Sequence, residues 1–211
     1  MRVMVGSGPS KDLKCAELDR HLEFMAEYVA RVERGGEERG LTLVLRSPAS
    51  AAARALIGMS REIASVGISA KAVVAALEPE EDLRRLFACL SELAPNEPAK
   101  ALIRWARNPR LLDAHEQVTY GLNMCWSGDP MRREADKRNA LSLFAMDAPE
   151  SVHHARLAFT ALWGASSLVA ERRLTGAEMA RPSGAYEIDP ARLATLSRFR
   201  PRPQGWPLVR H

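Results

Sequence analysis

Strands and helices alternate from Leu41 to Leu93, and this alternation restricts the fold more than any other feature of the chain. Leu41-Thr-Leu-Val-Leu-Arg46 is a run of β-formers bounded by Gly40 and by Ser47-Pro48. A helix is expected from about Ser50 to Val66, with Ala53, Leu56, Ile57, Ile63 and Ala64 on its apolar side and Gly67 ending it. Ile68 to Leu77 reads as a buried second strand, although its alanines leave a helix open. Glu78-Pro79-Glu80-Glu81 then opens a helix with acids near its positive end, running through Leu83, Leu86, Phe87, Leu90 and Leu93 towards Pro95. Such alternation points to a largely parallel sheet covered on both faces. Upstream, Leu18, Leu22, Met25, Val29 and Val32 recur at helical spacing between Asp12 and Arg34, and Gly35-Gly36 stops that helix. His21, beside Asp19 and Arg20, reads as a solvated residue on it.

After Pro98 the rhythm changes. Ala101 to Ala106 reads as a third strand broken by Asn108-Pro109, followed by strands over Asp113 to Leu122, Asn123 to Trp126 and Ala140 to Met146. A tight turn is expected at Ser127-Gly128-Asp129-Pro130. Pro149 opens a last helix, to Val169, with Val152, Ala155, Phe159 and Leu162 as its apolar stripe. His153 and His154 are adjacent on it, about 100° apart, and read as surface residues. From Arg172 onward the prolines forbid long regular structure. The expected fold class is α/β, with a mixed, mostly parallel sheet flanked by helices. Residues 1–40 form an N-terminal helical extension, 41–170 the α/β domain, and 171–211 an irregular Pro/Arg-rich tail.

Composition limits the functional classes. The chain has 211 residues, 46% hydrophobic and 27% charged, enough for a full core in one domain. Aromatics at 6% leave little material for stacking nucleobases, and a net charge of +4 falls short of a dense basic stripe. Nucleic acid therefore enters only through Arg198, Phe199, Arg200, Arg202, Trp206 and Arg210 of the tail, which serve equally for an acidic partner or as an arm packed on its own domain. No apolar run approaches the ~20 residues that span a bilayer, and no secretory signal is visible, so the expected location is cytoplasmic. Cys15, Cys89 and Cys125 are odd in number and far apart, which suits reduced thiols better than disulfides or a zinc site. No Walker loop, Gly-x-Gly-x-x-Gly, Gly-x-Ser-x-Gly or His-Glu-x-x-His string is present, so no cofactor or metal is expected.

Between residues 41 and 165 the order is strand, helix, strand, helix, several strands, then a helix ending in Phe159-Thr-Ala-Leu-Trp163. With Trp126-Ser127-Gly128-Asp129 and the strand Ala140 to Met146, this order resembles one half of the phospholipase D superfamily. The resemblance implies a His-x-Lys signature with Asp after four further residues: a nucleophilic histidine, a lysine neutralising phosphate oxygens, and an aspartate orienting the imidazole. Only His115 matches. Gln117 stands at the lysine position and Leu122 at the aspartate position, so the motif is degenerate.

The candidate catalytic residues are His115, Asp113 and Gln117, which strand alternation puts on one face with Glu116 on the other. The candidate ligand-binding residues are Ser127, Asp129, Arg132, Arg133, Arg104 and Asn123, suited to an anion such as phosphate. A structural reading stands beside each: a hydrogen-bonded His115, a loop in which Asp129 caps its own backbone, and arginines paired to Glu134 and Asp136. Three functions remain. The first is an altered member of the superfamily binding an anionic or phosphate-bearing ligand or a protein partner. The second is a metal-independent phosphodiesterase or nuclease acting as a homodimer with His115 as nucleophile. The third is an interaction module using the arginine-rich tail.

Overall fold

β1 (Gly40–Leu45) holds the middle of the sheet because its side chains are apolar on both faces: Leu41, Leu43, Val44 and Leu45 are all buried. The computed structural model describes residues 11–108, 115–128 and 142–176. Beside β1 runs β2 (Ser69–Val74), parallel and in register from Gly40 opposite Ser69 to Leu45 opposite Val74. β3 (Ile103–Trp105) continues in parallel beyond it, and the two-residue β7 (Ser167–Leu168) closes that side antiparallel. On the other side of β1 come β4 (Glu116–Tyr120), β5 (Met124–Gly128) and β6 (Ser142–Ala145), each antiparallel to its neighbour. The order is β6-β5-β4-β1-β2-β3-β7.

The α/β class and the mixed sheet are as expected, with helices on both faces. The predominance of parallel pairing is not. Among the described residues only β1–β2 and β2–β3 are parallel, and the other pairings are antiparallel. Parallel neighbours need a crossover of a dozen or more residues, and residues 46–68 and 75–102 supply one to each parallel pair. Past that point β4 and β5 are joined by a tight turn at Gly121, which forces an antiparallel pair. Gly121 has φ of +64°, its N–H donates to the Gly40 carbonyl at 2.8 Å, and the Glu37 side chain fills the space a Cβ would need. Only glycine meets all three conditions without strain.

Alternation along the strands assigns the two faces. Val44, Val73 and Ala106 pack with Phe159, Leu162 and Trp163 of α6 (Pro149–Ala165). On that face Thr42 and Thr119, directly opposite in register, share a hydroxyl–hydroxyl hydrogen bond of 2.6 Å. The opposite face lies under α1 (Lys11–Glu33), α2 (Ala51–Gly58) and α4 (Glu80–Leu93), where Leu83, Leu86 and Leu90 are fully buried. Along α1, Leu22, Met25, Val29 and Val32 form the expected buried stripe. A second row on the same helix, His21, Phe24 and Tyr28, meets Tyr120, Trp126 and Phe144 of the β4–β6 sheet edge-on.

Other expectations shift in detail. The helix from Ser50 to Val66 is broken at Met59 into α2 and α3 (Ser60–Ser65). One helical turn, α5 (Ala99–Leu102), takes the first two residues of the expected third strand, because Pro98 suits a helix start and Ala-Lys-Ala-Leu favours a helical turn. The last long helix stops at Ala165, and Glu171–Thr175 forms a further helix, α7, where irregular chain was expected. Ser127 and Gly128 are paired in β5 opposite Gln117 and Glu116, so they belong to a strand and not to a turn. Asp129-Pro130 and the basic tail lie outside the described residues. Among the described residues no helix is long and apolar enough to cross a membrane.

Candidate functional site

β1, β2 and β3 all end at one edge of the sheet, and the chain returns to that edge at the start of β4 and the end of β5. This brings Arg46-Ser47-Pro48-Ala49-Ser50, His115-Glu116 and Ser127-Gly128 to the same rim. Crevices outside the carboxyl ends of parallel strands are where open α/β sheets bind ligands, above all where strand order reverses. Here it reverses beside β1, with β2 on one side and β4 on the other.

His115 is exposed at the rim, one residue before β4. Ser127, half-buried, pairs with Gln117 one strand away. Gln117 turns to the α6 face, where its Nε2 donates to the Ala155 carbonyl at 2.9 Å. Glu116 turns the other way, as alternation requires. It is 3% exposed, and its Oε1 accepts the Arg46 N–H at 3.0 Å and lies 2.5 Å from the Ser50 hydroxyl. Burial pushes its carboxyl up to about 7, while the contacts to Ser50 and Arg46 pull the other way and the charge of Glu17 on α1 adds to the rise.

The remaining candidates are spread out. Asn123 sits at the far end of the β4–β5 hairpin, where its Nδ2 donates to Glu37 Oε2 at 3.1 Å. Glu37 Oε1 also accepts the Leu122 N–H there, at 2.5 Å. Asn123 is thus a strand's length from His115 and shares no site with it. Arg104 lies on the α6 face of β3, donating to the Trp163 carbonyl at 3.0 Å with its guanidinium 4.8 Å above the Trp163 ring. Those contacts hold it against α6. Asp113, Asp129, Arg132 and Arg133 lie outside the described residues.

Two acids and one histidine went unrecognised in the sequence. His21, expected in solvent, is fully buried, with its ring edge-on to Trp126 at 4.4 Å and Phe144 at 5.0 Å. Neither ring nitrogen has a hydrogen-bond partner among the described residues, and burial pushes the imidazole down to about 4. The signal was its spacing: His21 stands four before Met25 and seven before Tyr28, on the buried side of α1. Glu116 shows the period-two equivalent, falling on the same strand face as Val118 and Tyr120. Glu37 carries no such signal, because it acts from the α1–β1 loop. His153 and His154 are exposed, as read from their positions. Cys89 and Cys125 are free, buried thiols.

No family model matches this chain, and no curated protein or solved structure matches it either.

Proposed function

We propose that the chain is a phospholipase D-like half with a degenerate motif, which binds an anionic or phosphate-bearing ligand or a protein partner at the carboxyl rim near His115 and Ser127. The observation that carries this reading is the fate of Gln117. At the position where the superfamily places a lysine against phosphate, this side chain is uncharged and committed to the Ala155 carbonyl of α6. Leu122, at the aspartate position, lies in the hairpin turn at the opposite end of β4 and is half exposed. A phosphoryl-transfer site without its cation loses one of the largest contributions to catalysis. His115 retains an exposed place at the rim, which suits recognition.

That same exposure favours the second reading, a metal-independent phosphodiesterase or nuclease in which two chains face each other across His115. One experiment separates the two. Wild type and His115→Ala are assayed on bis(p-nitrophenyl) phosphate without metal, and inorganic phosphate is titrated into the labelled protein with His115 and Ser127 followed by NMR. The binding reading expects no turnover and saturable shifts at both residues. Turnover lost in His115→Ala replaces it with the enzyme reading. Silence in both arms removes the anion and leaves a protein partner.

A further inference from the structure

Ser50 Oγ makes two close oxygen–oxygen contacts, at 2.8 Å to the Ser47 carbonyl and 2.5 Å to Glu116 Oε1. Both lie in the range of O–H···O hydrogen bonds, and each needs a hydrogen between its oxygens. A serine hydroxyl has only one hydrogen to give, and a backbone carbonyl has none. The second must come from Glu116. With a proton on Oε1, Glu116 donates to Ser50 Oγ and Ser50 donates to Ser47. The Ser47 N–H, 3.4 Å away, then approaches the hydroxyl's second lone pair. Every hydrogen has a place. With Glu116 ionised, one of the two contacts becomes a bare approach of oxygen on oxygen.

We propose that Glu116 is a proton-operated latch: its carboxylic acid proton holds the Ser47–Ser50 loop closed against β4, and losing that proton to solvent reorganises the loop at the rim. The charged groups facing the carboxyl among the described residues are Glu17 from α1 and Arg46 from the end of β1. Glu17 opposes ionisation and Arg46 favours it. Burial sets the midpoint, raising it from 4.5 to about 7, so the latch works near neutrality. The Ser47–Ser50 loop forms the rim beside His115. Any ligand held there meets a differently arranged loop above and below this midpoint. The latch does not depend on which ligand that is.

The test is a carbon-detected NMR titration of the Glu116 side-chain carboxyl in the full chain, with the Arg46 and Ser50 amides followed over the same pH range. The expected result is a carboxyl midpoint near neutrality, with both amides moving at that midpoint. A carboxyl that titrates near the ordinary glutamate value, or amides that ignore it, overturns the proposal. Two variants sharpen the result. Glu116→Gln, uncharged at every pH, removes the titration, and the Arg46 and Ser50 amides then no longer shift near neutrality. Ser50→Ala removes the hydroxyl that can turn to the ionised carboxylate and so raises the Glu116 midpoint. An Arg46 amide and loop amides that follow the Glu116 midpoint in Ser50→Ala as they do in wild type mean that Ser50 does not carry the change to the loop, and the latch as drawn is wrong.

Discussion

Glutamates hold both ends of the β4–β5 hairpin, and they do so in different surroundings. At the rim Glu116 reaches from β4 to the β1–α2 loop, 3% exposed, against the Arg46 N–H and Ser50. At the other end Glu37 reaches from the α1–β1 loop to the turn, half-buried, and accepts from the Leu122 N–H and the Asn123 amide. Each fastens a loop to the hairpin through one carboxyl group. Burial makes the difference. A carboxyl in reach of water can accept hydrogen bonds at little desolvation cost, whereas one sealed under α1 is driven to keep its proton. Glu37 clasps the turn, and Glu116 responds to pH.

Glu116→Gln tests the difference most directly. The folded protein holds the Glu116 proton up to about 7, whereas the unfolded chain releases it near 4.5. This acid therefore contributes stability below 4.5 that is lost as pH rises through about 7. At pH 8 Glu116→Gln is expected to be more stable than wild type by about 3 kcal/mol, with the two equal near pH 4.5. Urea midpoints across that range check this; an equal shift at both ends would mean the gain has nothing to do with ionisation.

His21, on α1 itself, has the opposite sign. Its folded value of about 4 lies below the ordinary 6.5, so its contribution is present above 6.5 and lost as pH falls through about 4. Between 4.5 and 6.5 the two slopes oppose each other and wild-type stability is expected to be nearly flat. His21→Phe removes one slope and should make stability fall steadily with rising pH, by about 2 to 3 kcal/mol in total. A His21→Phe profile as flat as the wild type's would show that the histidine does not titrate as its burial requires.

The smallest effect belongs to the clasp. Glu37→Ala should cost about 1 kcal/mol, with the change confined to the turn and visible as faster hydrogen exchange at the Leu122 amide. Protection at Leu122 unchanged from wild type would mean that Gly121 and its bond to Gly40 hold the turn unaided.

Much of the fold could be read from local pattern. The α1 stripe, β1, β2 and α4 all lie where their spacing put them, because each is set by neighbours within a turn or two of chain. The sites depend on contacts of another range. Ser50 and Glu116 are separated by 66 residues and Glu37 and Asn123 by 86, and nothing in either segment names its partner. Glu116 and His21 could have been flagged as polar residues on apolar faces, but a flag of that kind gives burial and not the group that meets it. His21 was misjudged because Asp19 and Arg20 beside it were weighed above its spacing from Met25 and Tyr28. Parallel pairing was overestimated for a similar reason: the first three strands set the pattern, and the hairpin geometry that Gly121 imposes depends on one dihedral angle.

Among the described strands the sheet ends on β7, two residues long, and on β6, four residues long. An unpaired strand edge is a template on which another chain can add, and the hazard grows with its length and flatness. β3, with Trp105 and a run of apolar chain behind it, is shielded by β7 through Arg104 opposite Leu168 and Trp105 opposite Ser167. A neighbouring molecule in crowded solution finds two backbone positions there, too few to seed a growing stack. On that side of the sheet the described chain thus offers a neighbour little edge to add to.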